Sequence, residues 1–185
     1  MLFCCFCLNS YAQQTPAPDQ KGSILILNAK AHLGNGKVIE NSAVAFKDGK
    51  ITLVEDATVI RLDMSQFDEV VKAEGMELYP GLIAPNTQIG IQEIGAVRAT
   101  RDSREVGRIN PSVRTIIAYN TDSRVTPTIR SNGVLSAQVA PAGSSGIKGT
   151  SSIVELDAWN WEDAAYVIDD GIHMNWPSMF RRTGW

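Results

Sequence analysis

Between Ile24 and Tyr79 the chain alternates short apolar runs with turn residues. Ile24-Leu25-Ile26-Leu27-Asn28, Ser42-Ala43-Val44-Ala45-Phe46-Lys47 and Ile51-Thr52-Leu53-Val54-Glu55 are all strand-like in length and content. Asp48-Gly49 joins the last two and predicts a hairpin, because the tight turns that match strand twist need positive φ. Asn35-Gly36 supplies another turn, and Val70 to Glu74, Gly75 and Met76 to Tyr79 supply two more short strands around a third. The pattern predicts a small antiparallel β-unit over 24–80. A core this small is marginal on its own.

Pro80-Gly81 marks a change of pattern. Leu82-Ile83-Ala84 and Val134 to Ala140 are uncharged runs of the kind that predict strands buried on both faces. Asp122 to Arg130 reads as a helix capped by Thr121 or Asp122, limited by Pro127 and closed by Asn132-Gly133. GSSGIKGTSS, residues 143–152, reads as a flexible loop before a strand at Ile153 to Leu156. Asn160 predicts a helix over Trp161 to Asp169, with Glu162 and Asp163 in the first turn where the helix dipole favours them. The order strand, helix, strand, helix is that of an α/β barrel or a doubly wound sheet.

Composition narrows the function classes. Of 185 residues, 44% are apolar and 20% charged, enough for a packed core. The net charge of −3 argues against a nucleic-acid binder. No apolar run is long enough for a transmembrane helix. The cysteines are Cys4, Cys5 and Cys7, so the body of the chain has no disulfide, no thiolate metal site and no cysteine nucleophile. With His32 and His173 the only histidines, a histidine-rich metal centre or a Ser-His-Asp triad has little to draw on.

Residues 1–12 read as an export signal: Met1 to Leu8 is apolar, and Ser10-Tyr11-Ala12 places small residues where a signal peptidase needs them. Cleavage near Ala12 would deliver the protein to the periplasm or the exterior. The alternatives are a start codon placed too late and a buried segment that mimics a signal. Residues 13–23 form a polar, Pro-containing linker.

The stretch from Glu69 to Gln88, with Tyr79-Pro80-Gly81-Leu82-Ile83-Ala84-Pro85-Asn86-Thr87-Gln88 at its end, resembles the metal-dependent amidohydrolase superfamily near its imidazolonepropionase-like branch. In that family a β-sandwich strand passes through a Pro-Gly-Leu/Phe-Ile turn into the first barrel strand, which ends in Asp-x-His-x-His. The Asp48-Gly49-Lys50-Ile51 hairpin and the run from Asn132-Gly133-Val134 to Ala140-Pro141 fit the same pattern, so the resemblance covers roughly 24–177. It implies an N-terminal β-sandwich unit over 24–80. It also implies that 81–185 are the first βα units of a TIM-like (β/α)8 barrel, incomplete here because a full barrel takes roughly 250 residues. The resemblance further implies hydrolysis of a non-peptide C–N bond in a small cyclic amide or amide-like substrate. In relatives a zinc or iron ion activates water for attack and stabilises the oxyanion.

The chain departs from the family where the chemistry lies. Asn86 and Gln88 stand at the two motif histidines and Ala84 at the aspartate. A carboxamide oxygen is a poor ligand for zinc or iron. Three readings stand for Asn86 and Gln88: hydrogen bonding to loop backbone, substrate contact in a metal-poor pocket, and weak metal ligation. Glu93 is either a pocket carboxylate or a surface partner of Arg98 or Arg101. Arg98, Arg101, Arg104 and Arg108 form either an anion-binding face or a loop paired with its own Asp102 and Glu105. No residue of the chain is assigned as catalytic or as a metal ligand. Asn86, Gln88, Glu93 and Arg98 are the substrate-pocket candidates. The expected whole is the N-terminal part of an amidohydrolase whose parent enzyme acts on a small molecule. The alternative is a non-catalytic amidohydrolase-like subunit that binds a ligand or scaffolds an active paralogue as a homo- or hetero-oligomer.

Overall fold

The computed structural model describes residues 15–177 and Met179. The export signal read at Met1 to Ala12 lies outside the described residues. The described residues divide into two compact units, Pro18–Leu82 and those from Ile83 onward together with residues 15–17.

The first unit is one five-stranded sheet, built around β1 (Ser23–His32). Alternate residues of β1 point into the core, so Leu25, Leu27, Ala29 and Ala31 are buried. β2 (Val38–Lys47) pairs antiparallel with β1, and β3 (Lys50–Asp56) antiparallel with β2. The hairpin between β2 and β3 turns on Asp48 at φ 50° and Gly49 at φ 71°, the positive values the dipeptide predicts. β4 (Glu69–Lys72) and β5 (Glu77–Leu78) run parallel to β1, which corrects the expectation of a wholly antiparallel unit. A parallel neighbour requires a crossover of about a dozen residues or more, and the segment between β3 and β4 provides it. Its Ala57, Ile60, Leu62 and Phe67 pack on the Leu25, Leu27, Ala43 and Ala45 core. Asp68 then ties the start of β4 to the start of β1, accepting from Ser23 N at 2.6 Å and Ser23 Oγ at 2.8 Å. His32 stacks on Tyr79 with ring centroids 4.2 Å apart, a packing role.

The second unit is a four-stranded sheet in the order β6 (Leu82–Thr87), β7 (Val134–Val139), β8 (Gly146–Glu155), β9 (Ala165–Asn175). Its core gathers Ile91, Ile116, Tyr119, Ala137, Val139, Val154, Leu156 and Ala164. Among the described residues two short α-helices accompany it, α1 (Val125–Ser131) and α2 (Trp161–Ala164). The expected alternation of strand and helix from Val134 to Asp169 does not form, because β7, β8 and β9 are successive antiparallel neighbours.

Four local expectations change with it. The presumed loop GSSGIKGTSS enters β8 at Gly146. Segment 108–114 lies directly on this strand: Asn110 N donates to Ile147 O at 3.0 Å and Thr150 N to Val113 O at 2.8 Å. A Cβ at Gly146 would overlap the Arg108 carbonyl, and one at Gly149 the Val113 carbonyl, so the glycines serve backbone approach rather than flexibility. The helix capped by Asn160 does start there, with Asp163 N donating to Asn160 Oδ1 at 2.8 Å, but it ends at Ala164. The β-branched run that follows is drawn into β9 by the free edge of β8.

The third change is at α1, which begins at Val125: Arg124 holds the cap position, Ser123 Oγ rather than Thr121 or Asp122 accepts from Val125 N at 3.3 Å, and the Thr121 hydroxyl donates to Trp159 O at 3.0 Å. Pro127 is tolerated in its first turn, where the backbone N–H has no intrahelical partner. The fourth concerns the strands expected to be buried on both faces. Leu82 and Ile83 are 59% and 67% exposed, and Leu135 is 53% exposed while Ala137 and Val139 are buried. The sheet is thus open to solvent at Leu82, Ile83 and Leu135, while the consecutive Ser151 and Ser152 of β8 are both buried.

If Gly146 exists for backbone approach, Gly146→Ala must open the contact with Arg108. Its expected cost is about 2–4 kcal/mol, overpacking added to a strained φ. Gly133 has a similar φ of 88° with nothing within 4 Å of an added Cβ, so Gly133→Ala should cost only about 1 kcal/mol. Chemical denaturation of the two variants decides the matter, and equal losses would refute the close-packing account.

Candidate functional site

Asn86 has a left-handed φ of 51°, which breaks the strand alternation that would aim residues 86 and 88 the same way. Its backbone N–H donates to Gln138 Oε1 at 3.1 Å. Thr87 Oγ1 donates to Gln138 O at 3.3 Å, and Thr87 O accepts from Ala140 N at 2.9 Å. Gln88 then turns the chain, its carbonyl accepting from Ile91 N at 3.2 Å and Gln92 N at 3.1 Å. The side chains of Asn86 and Gln88 are exposed.

Gln138 connects this strand end to β9. Its Nε2 donates to Asp170 Oδ2 at 2.5 Å, and the buried Ser151 hydroxyl reaches the same oxygen at 3.5 Å. Asp169 and Asp170 sit where the β8–β9 register shifts between Ser151 and Ile153, and Asp169 has a φ of 57°. Such a bulge re-aims neighbouring side chains. Asp170 therefore meets Gln138, while Asp169 meets Arg114 through Nε–Oδ1 at 3.0 Å and Nη2–Oδ2 at 2.6 Å and accepts from Thr150 Oγ1 at 2.7 Å. These contacts hold the Asp169 carboxyl below its usual range, Arg114 first and Thr150 second. Sequence reading missed Gln138, Asp169 and Asp170. The Asp-Asp-Gly triplet inside a β-branched run was the available signal for a bulge.

Glu93 and Arg98 lie on the loop after β6, which is well tied down. Glu93 N donates to Thr100 O at 3.0 Å, and Asp102 N to Ile91 O at 2.8 Å. Arg98 opens the 3-10 turn Arg98–Thr100. Glu93 Oε1 is buried without a hydrogen-bond partner, and no ion pair among the described residues joins Glu93 to Arg98 or Arg101. Arg98, Arg101 and Arg104 share a recess of about 550 Å³ with Asp102 and Glu105, yet none of them forms an ion pair there. The loop is not self-paired. The candidates thus fall into two groups, Asn86 and Gln88 beside Gln138 and Asp170, and Arg98 in the arginine recess. Glu93 sits in neither.

The donors present do not fit the zinc or iron ion that the family resemblance implies. Asn86 and Gln88 offer carboxamides from a broken alternation. Among the described residues no three His, Cys, Asp or Glu side chains come together to hold a metal. His173, opposite Gly149 in the β8–β9 ladder, belongs to no such group. What the arrangement offers is hydrogen bonding, with carboxamides that both donate and accept and a carboxylate held by Gln138.

No family model matches the chain, and no curated protein matches it. A solved structure does: an amidohydrolase from Thermotoga maritima MSB8 superimposes with a TM-score of 0.72 at 23% identity over 82% of this chain. The chain spans 38% of the length of that structure. The fold of this chain, a mixed α/β arrangement dominated by sheets, is therefore shared with an amidohydrolase. No helix among the described residues is long and apolar enough to cross a membrane.

Two measurements follow. Purified protein dialysed against buffer should retain well under one zinc or iron per chain, and one tightly held ion per chain would contradict the donor chemistry. The second concerns pH. Because the Asp169 carboxyl titrates lower folded than unfolded, its contribution is present above the ordinary aspartate value near 4 and is lost as pH falls through the lowered folded value. Thermal melts of wild type and Asp169→Asn should differ most at neutral pH, and the gap should close as pH falls through the lowered folded value. A gap that stays constant with pH would remove Asp169 as the cause.

Proposed function

We propose that this chain is an amidohydrolase-type protein of the imidazolonepropionase-like kind. On this reading the parent enzyme hydrolyses a non-peptide C–N bond in a small cyclic amide or amide-like substrate, and this chain supplies part of its pocket. The N-terminal sheet corresponds to the sandwich unit, and the chain from Gly81 onward to the first units of a TIM-like barrel. The shared fold with an amidohydrolase over 82% of the chain carries the proposal. Asn86 and Gln88 serve as substrate-facing hydrogen-bonding groups, with Gln138 and Asp170 setting the strand end that presents them. An amide offers one donor and one acceptor edge, and a carboxamide side chain matches both. Arg98, in its own recess with Arg101 and Arg104, and Glu93, outside both groups, take no part in this strand-end site. The reading includes export to the periplasm or exterior.

A second reading is favoured by one observation, the two carboxamides at the motif-histidine positions. The protein would then be a non-catalytic amidohydrolase-like subunit that binds the same ligand class or scaffolds an active paralogue.

Titration with 2-pyrrolidinone, succinimide and hydantoin separates these outcomes. Saturable binding should weaken roughly fivefold in Gln88→Leu, the worth of about one hydrogen bond. Ring opening of a bound compound supports the enzyme, whereas binding without turnover supports the subunit. No saturable binding, or binding indifferent to Gln88→Leu, would defeat the substrate-facing role.

A further inference from the structure

Residues 91–102 of the second unit fold back on themselves as a narrow ribbon. Glu93 N donates to Thr100 O at 3.0 Å and Asp102 N to Ile91 O at 2.8 Å, with Gln92 paired to Arg101 between them. Thr100 Oγ1 closes the tip by accepting from Ile94 N at 3.1 Å. Ser103, only 5% exposed, anchors the ribbon to the segment after β7, its carbonyl accepting from Ala142 N at 2.6 Å. The arginines therefore stand on a backbone already fixed, and a ligand meeting them has little chain to order.

Two recesses meet at this ribbon. The one lined by Arg98, Arg101 and Arg104 shares Asp102, Arg104 and Glu105 with a second, of about 460 Å³, so the two are joined. The second is walled by Val113, Ile117, Ala118 and Pro141, which give it an apolar side. Its Arg114 is committed to Asp169. The three arginines of the first form no ion pair among the described residues, and they outnumber the two carboxylates beside them. Lys148 adds to the imbalance. It is buried and forms no ion pair among the described residues, although a lysine so deeply placed is nearly always paired. Its stem crosses Gly143, where a Cβ would overlap Lys148 Cε, and Gly143 lies two residues beyond Pro141 of the second recess.

We propose that the joined recesses bind a small organic phosphomonoester, its phosphate among Arg98, Arg101 and Arg104 and its apolar body against Val113, Ile117 and Pro141. The excess of positive charge selects an anion, and the planar guanidinium fork matches phosphate oxygens two at a time. A phosphomonoester carries about −1.5 to −2 at neutral pH and so offsets that excess better than one carboxylate does. Arg104 lines both recesses and stands where head and body meet. Volumes of about 550 and 460 Å³ lie within the range of small-molecule sites. The proposal is independent of the amidohydrolase reading.

The test is calorimetric titration of the full chain at neutral pH with phenyl phosphate, inorganic phosphate and benzyl alcohol. Phenyl phosphate should saturate and bind roughly fivefold more tightly than inorganic phosphate, which lacks the body, and benzyl alcohol, which lacks the charge, should bind most weakly. Arg104→Gln should weaken phenyl phosphate about tenfold, the loss of one charge-assisted hydrogen bond. Arg61→Gln removes an equal charge from an exposed position of the first unit and should bind like wild type. Ile117→Ser, at a position 60% exposed, should weaken phenyl phosphate and leave inorganic phosphate unchanged. Any of four results would overturn the proposal: no saturation by about 10 mM, inorganic phosphate binding as tightly as phenyl phosphate, Arg104→Gln binding like wild type, or Arg61→Gln losing as much as Arg104→Gln.

Discussion

The second unit depends on two backbones meeting at Gly146 and Gly149. Segment 108–114 can lie on β8 only because neither position carries a Cβ, and the hydrogen bonds from Asn110 and Thr150 close the contact. Once that segment is fixed, Arg114 stands next to β8 at Thr150 and within reach of the β9 bulge. Ile116 and Tyr119 follow directly into the core. A sequence of small residues that looks permissive is thus the most constrained part of the unit.

The bulge at Asp169 and Asp170 divides two adjacent carboxylates between two tasks. Asp169 is spent on Arg114 and Thr150, a structural pairing that fastens β9 to the segment before α1. Asp170 faces Gln138 and through it the backbone of Asn86. Asp169 meets Thr150 and Asp170 meets Ser151, adjacent residues of β8, so the two carboxylates are divided between neighbouring partners at the register shift. The hydrogen-bond chain from β9 through β7 to β6 gives the end of β6 a defined shape although Asn86 and Gln88 are themselves exposed.

At that strand end the fold and the chemistry part company. The architecture is shared with an amidohydrolase, while Asn86 and Gln88, which the sequence resemblance sets against the family's motif histidines, are neutral amides. Asn86 adopts a left-handed backbone that Asn tolerates better than most residues, so its identity also suits a local conformation. A pair of imidazoles on an extended strand would need both the other residues and the other backbone. The difference is therefore one of geometry as well as of ligand type.

The sequence by itself determined whatever rests on a few neighbouring residues. The Asp48-Gly49 turn, the strand at Ile24 to Asn28, the Asn160 cap, the Asn132-Gly133 helix end and the lack of a histidine pair were all legible, because φ preference, strand propensity and donor chemistry are local properties. Tertiary structure decided the rest. Gly146 to Ser152 became strand because segment 108–114 came to lie on it, and Ala165 to Asn175 became strand because β8 had an edge to pair. β4 turned parallel to β1 because the crossover packed on Leu25 and Leu27. Of the candidate site, the positions of Asn86 and Gln88 could be read, but their link to Gln138 and Asp170 could not. Contacts between residues some fifty and thirty positions apart depend on which strands become neighbours, and no local preference encodes that.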